Sequence, residues 1–123
     1  MQTGNMVQGM AYVINRDAWA DRPDLWHGEW EGRAAGAGIS VIFFSSDTVG
    51  AGPRLHTHPY PETFIVRQGR ARFTVGGETV DAEPGQILVV PAGTPHRFEN
   101  LGPGRLETTD IHASDIFITA WLE

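Results

Sequence analysis

Apolar and polar residues alternate with a period of two over short stretches of this chain, most clearly at residues 70–75, where Ala71, Phe73 and Val75 interleave with Arg70, Arg72 and Thr74. Gly76-Gly77 follows and supplies the positive φ of a two-residue turn, so residues 70–85 predict a β-hairpin. The same reading predicts strands at 38–45, 54–58, 63–68, 86–90, 96–100, 105–112 and 117–122. Residues 17–21 are expected to form one helical turn within an otherwise irregular stretch. Many short strands punctuated by 15 glycines and 8 prolines make an all-β sandwich or barrel. Two runs, 41–44 and 117–122, are apolar on both faces. A strand with one wet face alternates, so these runs need a second cover, from another part of the chain's own sheets or from another subunit. A homodimer is the expectation.

Composition limits what such a protein can do. With 123 residues one domain is expected: residues 1–35 as an irregular segment with strands packing on a barrel, residues 36–123 as the barrel. A net charge of −6 with only nine Lys and Arg leaves no basic surface for a phosphate backbone, which excludes nucleic acid as a partner. There is no cysteine, so any metal must be held by His, Asp or Glu. The N-terminus lacks a basic start and an apolar h-region, and no stretch reaches the roughly 20 apolar residues of a membrane span. A cytoplasmic protein with no membrane partner is expected.

The chemistry concentrates at residues 56–62, HTHPYPE. In a strand His56 and His58 share a face, so two imidazoles aim into one space. Pro59 and Pro61 cannot continue a ladder and re-aim the chain, after which Glu62 opens a strand on the face of Phe64 and Val66. A second segment, PGQILVVPAGTPHRFEN, turns at Pro91-Ala92-Gly93 and carries His96, Phe98 and Asn100 on one face. We expect His56, His58, Glu62 and His96 to converge on one ion.

The spacing resembles a known family. Gly50, five residues, His56, one, His58, three, Glu62, six, Gly69 is a complete first cupin motif. Gly85, five residues, Pro91, one, Gly93, two, His96, three, Asn100 is a complete second one, 15 residues further on. The chain is similar to small single-domain cupins, which implies a double-stranded β-helix or jelly-roll barrel and metal ligands at His56, His58, Glu62 and His96. Three imidazoles and one carboxylate suit a divalent Fe, Mn, Ni, Co, Cu or Zn ion and do not suit calcium. Four ligands leave a six-coordinate ion two open positions, as a catalytic site requires.

Around the ion, alternation places Phe64, Val66, Phe73, Val75 and Phe98 inward, lining an apolar cavity for a small-molecule ligand. Arg54 shares the parity of His56 and His58 and is expected to reach a substrate carboxylate. Tyr60 and His112 are the candidate proton donors; His112 shares an unusually polar strand face with Thr108 and Asp110. Asn100 reads as a strand-end residue and His27 as structural. The functional expectation is a metalloenzyme of oxygenase or oxidoreductase type, with a non-catalytic binding or sensing module as its alternative.

Overall fold

Strand-forming runs pair into antiparallel sheets in the computed structural model, which describes residues 5–8 and 11–123. In chain order the strands are β1 (Asn5–Gln8), β2 (Ala11–Ile14), β3 (Gly28–Glu31), β4 (Ser40–Ser46), β5 (His56–Thr57), β6 (Glu62–Gln68), β7 (Ala71–Val75), β8 (Glu78–Ala82), β9 (Ile87–Val90), β10 (His96–Asn100), β11 (Leu106–His112) and β12 (Ala120–Trp121). One five-stranded sheet runs β12-β5-β10-β7-β8 and the other β3-β4-β11-β6-β9, while β1 and β2 form a separate hairpin. This is the jelly-roll barrel expected from the sequence. No helix among the described residues is long and apolar enough to cross a membrane.

The inward faces meet in a core of Phe64, Val66, Ala71, Phe73, Ala82, Val90, Phe98 and Leu106. Burial of a side chain such as Phe64 or Leu106 contributes roughly 1.5–3 kcal/mol. The β7–β8 hairpin has the expected register, Val75 opposite Glu78 across Gly76-Gly77, with Gly76 at φ 59°. At Gly69, φ is +79° and a Cβ would stand 2.2 Å from the Arg105 carbonyl oxygen, so glycine is required there on two grounds.

Several sequence expectations change in detail. The run at 54–58 is a strand only at His56–Thr57, because Pro53 and Pro59 cannot donate to a ladder on either side. The run at 117–122 pairs only at Ala120–Trp121. The helical turn expected at 17–21 is a 3-10 turn at Arg16–Ala18, a second one spans Gly32–Ala35, and β3 lies in the stretch read as irregular. Positions 1–4, 9 and 10 of the expected N-terminal segment lie outside the described residues.

The doubly apolar β4 finds its outer cover within the chain. Trp19 stacks on Phe43 with centroids 3.7 Å apart, and Trp26 meets the same ring edge-on at 5.0 Å. On the inner face Phe44 packs against Phe98 at 5.0 Å. The segment between β2 and β3 therefore covers that face, and β4 no longer calls for a second subunit.

Candidate metal centre

The two corners anticipated by the prolines bring four side chains to one point. His56 in β5 lies opposite His96, the first residue of β10, in the ladder joining those strands. His58 follows β5, and Glu62 is the first residue of β6. The turn ahead of β10 is pinned by Gly93, which takes φ +76° and donates its N–H to the His58 carbonyl at 2.8 Å. One ligand atom from each of His56, His58, Glu62 and His96 lies within 4.8 Å of the others, and all four residues are buried.

Each of the three rings has its Nδ1 on a backbone carbonyl: His56 on Arg54 at 2.6 Å, His58 on Ile118 at 2.8 Å, His96 on Thr94 at 2.8 Å. A carbonyl only accepts, so Nδ1 carries a proton on each ring, which leaves the Nε2 atoms facing the centre to bind a cation or, without one, to carry a second proton toward Glu62, as His96 Nε2 does in its hydrogen bond to Glu62 Oε1. Glu62 Oε1 stands 2.9 Å from His96 Nε2 and 3.1 Å from His58 Nε2. Lone pairs facing a carboxylate at that range require positive charge among them, from a proton or a cation. His58 Nε2 has no aligned hydrogen-bond partner. The donor set and this orphaned nitrogen fit a divalent transition metal.

Burial alone would push the Glu62 carboxyl up, but contacts with His112, His58 and His96 outweigh it and hold it well below the usual carboxylate range. Burial lowers His56, with the neighbouring imidazoles His96 and His58 acting in the same direction. For His58 burial is also the largest influence and lowers it, yet the Glu62 and Ile118 contacts together raise it.

Behind the cluster, Tyr60 and His112 form a buried pair. The Tyr60 hydroxyl accepts the Ile118 N–H at 3.1 Å and lies 2.8 Å from His112 Nδ1. His112 Nε2 is 3.0 Å from Glu62 Oε2, off the line of a straight hydrogen bond. The two residues named as proton donors thus contact each other, and His112 contacts the Glu62 carboxylate. His58 stacks on Tyr60, centroids 5.0 Å apart.

The cluster opens onto a cavity of about 300 Å³ whose walls include Ile42, Phe44, Phe64, Phe98, His112 and Trp121. Phe64 and Phe98 are where the alternation put them. Phe73 is not in the wall: it is fully buried in the core behind them, 4.9 Å from Phe64 and 5.2 Å from Phe98 between centroids. Arg54 is not in the cavity wall; its guanidinium lies 5.1 Å from the ring of Trp121, which is, and its carbonyl holds His56 Nδ1. Asn100 ties a corner together, donating to the Ser46 and Gly104 carbonyls and accepting from Gly102 N–H. His27 pairs with Asp21 at 2.6 Å and is not among the clustered ligands.

Asp110 also lines the cavity, a role the sequence reading did not give it. It is 3% exposed and faces inward between its ladder neighbours Ile42 and Phe64. Burial, reinforced by the Glu62 charge and opposed by the Thr108 hydroxyl, pushes its carboxyl well above the usual range. The available signal was the polar face Thr108, Asp110, His112 on a strand otherwise set for the interior.

Comparison with known proteins agrees with this architecture. The Cupin domain family model matches residues 44–112, and the chain belongs to the cupin family. It is 42% identical over 48 residues to the polyketide synthase CurC of Streptomyces cyaneus, an alignment covering 38% of this chain and 31% of that protein. It is 41% identical over 44 residues to an uncharacterized protein of Streptomyces coelicolor, 36% of this chain and 42% of the other. The matches therefore span less than half the length of these relatives. Among solved structures it resembles Bacillus subtilis oxalate decarboxylase, with a TM-score of 0.70 and 24% identity over 77% of this chain and 27% of that one. At that identity the likeness concerns the fold. A second structure of the same enzyme, solved in work on its Mn(II) centers, gives a TM-score of 0.71.

Proposed function

We propose that this cupin is a small metal-dependent oxidoreductase of oxygenase type, acting on a small organic substrate held in the cavity. The observation that carries the reading is the convergence of three imidazoles and the Glu62 carboxylate at the end of an apolar chamber of about 300 Å³. His56, His58, Glu62 and His96 would hold the ion. Iron and manganese are the first candidates, since a donor set of this type accepts both and the oxalate decarboxylase of the same fold has Mn(II) centers. When bound, such a metal supplies Lewis acidity and redox chemistry.

The chain's own residues do the rest. His112 presses on Glu62 Oε2 and Tyr60 holds His112, which fixes the carboxylate's orientation and provides a path for a proton to the Tyr60 hydroxyl. Ile42, Phe44, Phe64 and Phe98 exclude water, which strengthens electrostatic interactions within the site. We also infer a homodimer, supported by Ile118, Trp121 and Leu122, which are 45%, 53% and 51% exposed around the edge strand β12.

The experiment is anaerobic loading with Fe(II) or Mn(II), followed by exposure to oxygen with small enols, diketones, thiols and aromatic diols, while oxygen uptake and product mass are followed. Turnover that depends on the metal and on Glu62 supports the reading. Tight binding with no uptake for any metal and ligand replaces it with a binding module.

A further inference from the structure

The cavity has a polar feature that the metal cluster leaves unused. Asp110 Oδ1 is buried and without a hydrogen-bond partner, as is Thr108 Oγ1, the next inward residue along β11. The Thr108 hydroxyl is near enough to favour the charged carboxylate, but it is not aligned to donate to Oδ1. A buried acceptor left unpaired costs roughly 1–3 kcal/mol, and nearly all such groups in folded proteins are satisfied by protein, water or ligand. Directly opposite Asp110 in the ladder stand Ile42 and Phe64, neither of which has a side-chain donor. The nearby imidazoles are engaged elsewhere: the Nδ1 protons of His56, His58 and His96 go to the Arg54, Ile118 and Thr94 carbonyls, the Nε2 atoms of His58 and His96 face Glu62, and His112 lies between Tyr60 and Glu62.

We propose that Asp110 anchors a hydroxyl on the bound molecule, and that the ligand class is therefore a small neutral alcohol or phenol with an otherwise apolar body. This deepens the proposed function and rests on the cavity being the substrate site. Asp110 lies two residues from His112 along an extended strand, about 6.7 Å by strand geometry. His112 touches Glu62, so the anchor stands roughly a ring's length from the metal cluster. A molecule with a six-membered ring spans that separation, one end toward the cluster and a hydroxyl at Asp110. The volume agrees: an apolar cavity of about 150 Å³ holds benzene, and this one is about twice that.

The test uses protein loaded with Zn(II), which binds without redox turnover, titrated with phenol and with anisole, the same ring with its donor removed. The wild type should bind phenol roughly ten-fold more tightly or better. Asp110→Leu and Asp110→Ala should each bring the two affinities within about threefold of one another. Leu approximates the volume of the acid without its oxygens, and Ala serves if Leu does not fold. Equal affinities in the wild type, absence of binding by either ring below about 10 mM, or a preference unchanged in the variants would overturn the anchor. In the last case the hydroxyl is held by the metal. Loss of the anchor with oxygen uptake intact leaves the oxygenase reading standing, and a phenol preference that depends on Asp110 in a protein with no turnover leaves only the anchor.

Discussion

His112 lies directly opposite Glu62 in the β11–β6 ladder, with its Nε2 3.0 Å from the carboxylate oxygen that does not face His58 and His96. One oxygen of Glu62 is thus directed at the ligand imidazoles and the other is braced from behind, with Tyr60 bracing His112 in turn. Outer contacts of this kind set the orientation and basicity of a metal-binding group.

His112→Phe should accordingly lower metal affinity by about 10–100-fold while leaving one site per chain at saturation. Competition with a chelator of known affinity measures it. Tyr60→Phe, which leaves the imidazole in place, should act in the same direction and more weakly. Unchanged affinity in His112→Phe would show that Glu62 needs no brace.

Asp110 makes a prediction about pH. Its native carboxyl is held above the value of 3.8 expected in the unfolded chain, by burial first and by the Glu62 charge second. A raised native pKa contributes stability that is fully present below 3.8 and is lost as pH rises through the native value. An asparagine at this position carries no such proton. In metal-free protein Asp110→Asn should therefore lose less stability than the wild type between roughly pH 4 and 7, as read by urea unfolding across that range. Parallel pH profiles would contradict the burial of an unpaired acid.

Much of this architecture was legible in advance, for identifiable reasons. His56, His58, Glu62 and His96 could be read because two strands and two proline corners impose their spacing, and Phe64 and Phe98 because alternation along a strand has one answer. Phe73 shares that alternation but sits one layer behind the cavity wall, a depth that period two does not encode. Arg54 has the right parity on a segment that is not a strand at that point, so parity did not govern where its guanidinium went. Asp110 was visible as a polar residue on an inward face, but its isolation depends on Ile42 and Phe64, which come from two other strands. The outer cover of β4 by Trp19 and Trp26 is likewise a long-range contact with no local signature.

Gly69→Ala should destabilise the fold by more than about 2 kcal/mol, since it combines a left-handed backbone with a clash against the Arg105 carbonyl. Gly77→Ala is the control: its backbone is not left-handed and nothing lies within 4 Å of the added methyl, so the change should stay within about 0.5 kcal/mol. Denaturant midpoints at equal m-value make the comparison. Equal losses at both positions would refute the account of Gly69.

The inferred homodimer should sediment as a single species of about twice 13.5 kDa at micromolar concentration. Ile118→Glu with Trp121→Ser should shift it to monomer without unfolding it. A wild type that sediments only as monomer would remove the dimer and leave the metal centre untouched.

Whether His56, His58, Glu62 and His96 hold one divalent transition metal is decided by elemental analysis of protein purified without added ions or chelating resin. The wild type should carry close to one metal per chain, and His58→Ala a small fraction of that, with an unchanged far-ultraviolet dichroism spectrum. A wild type that arrives empty and takes up no manganese, iron or zinc at micromolar concentration would contradict that assignment, as would a His58→Ala protein that keeps full occupancy.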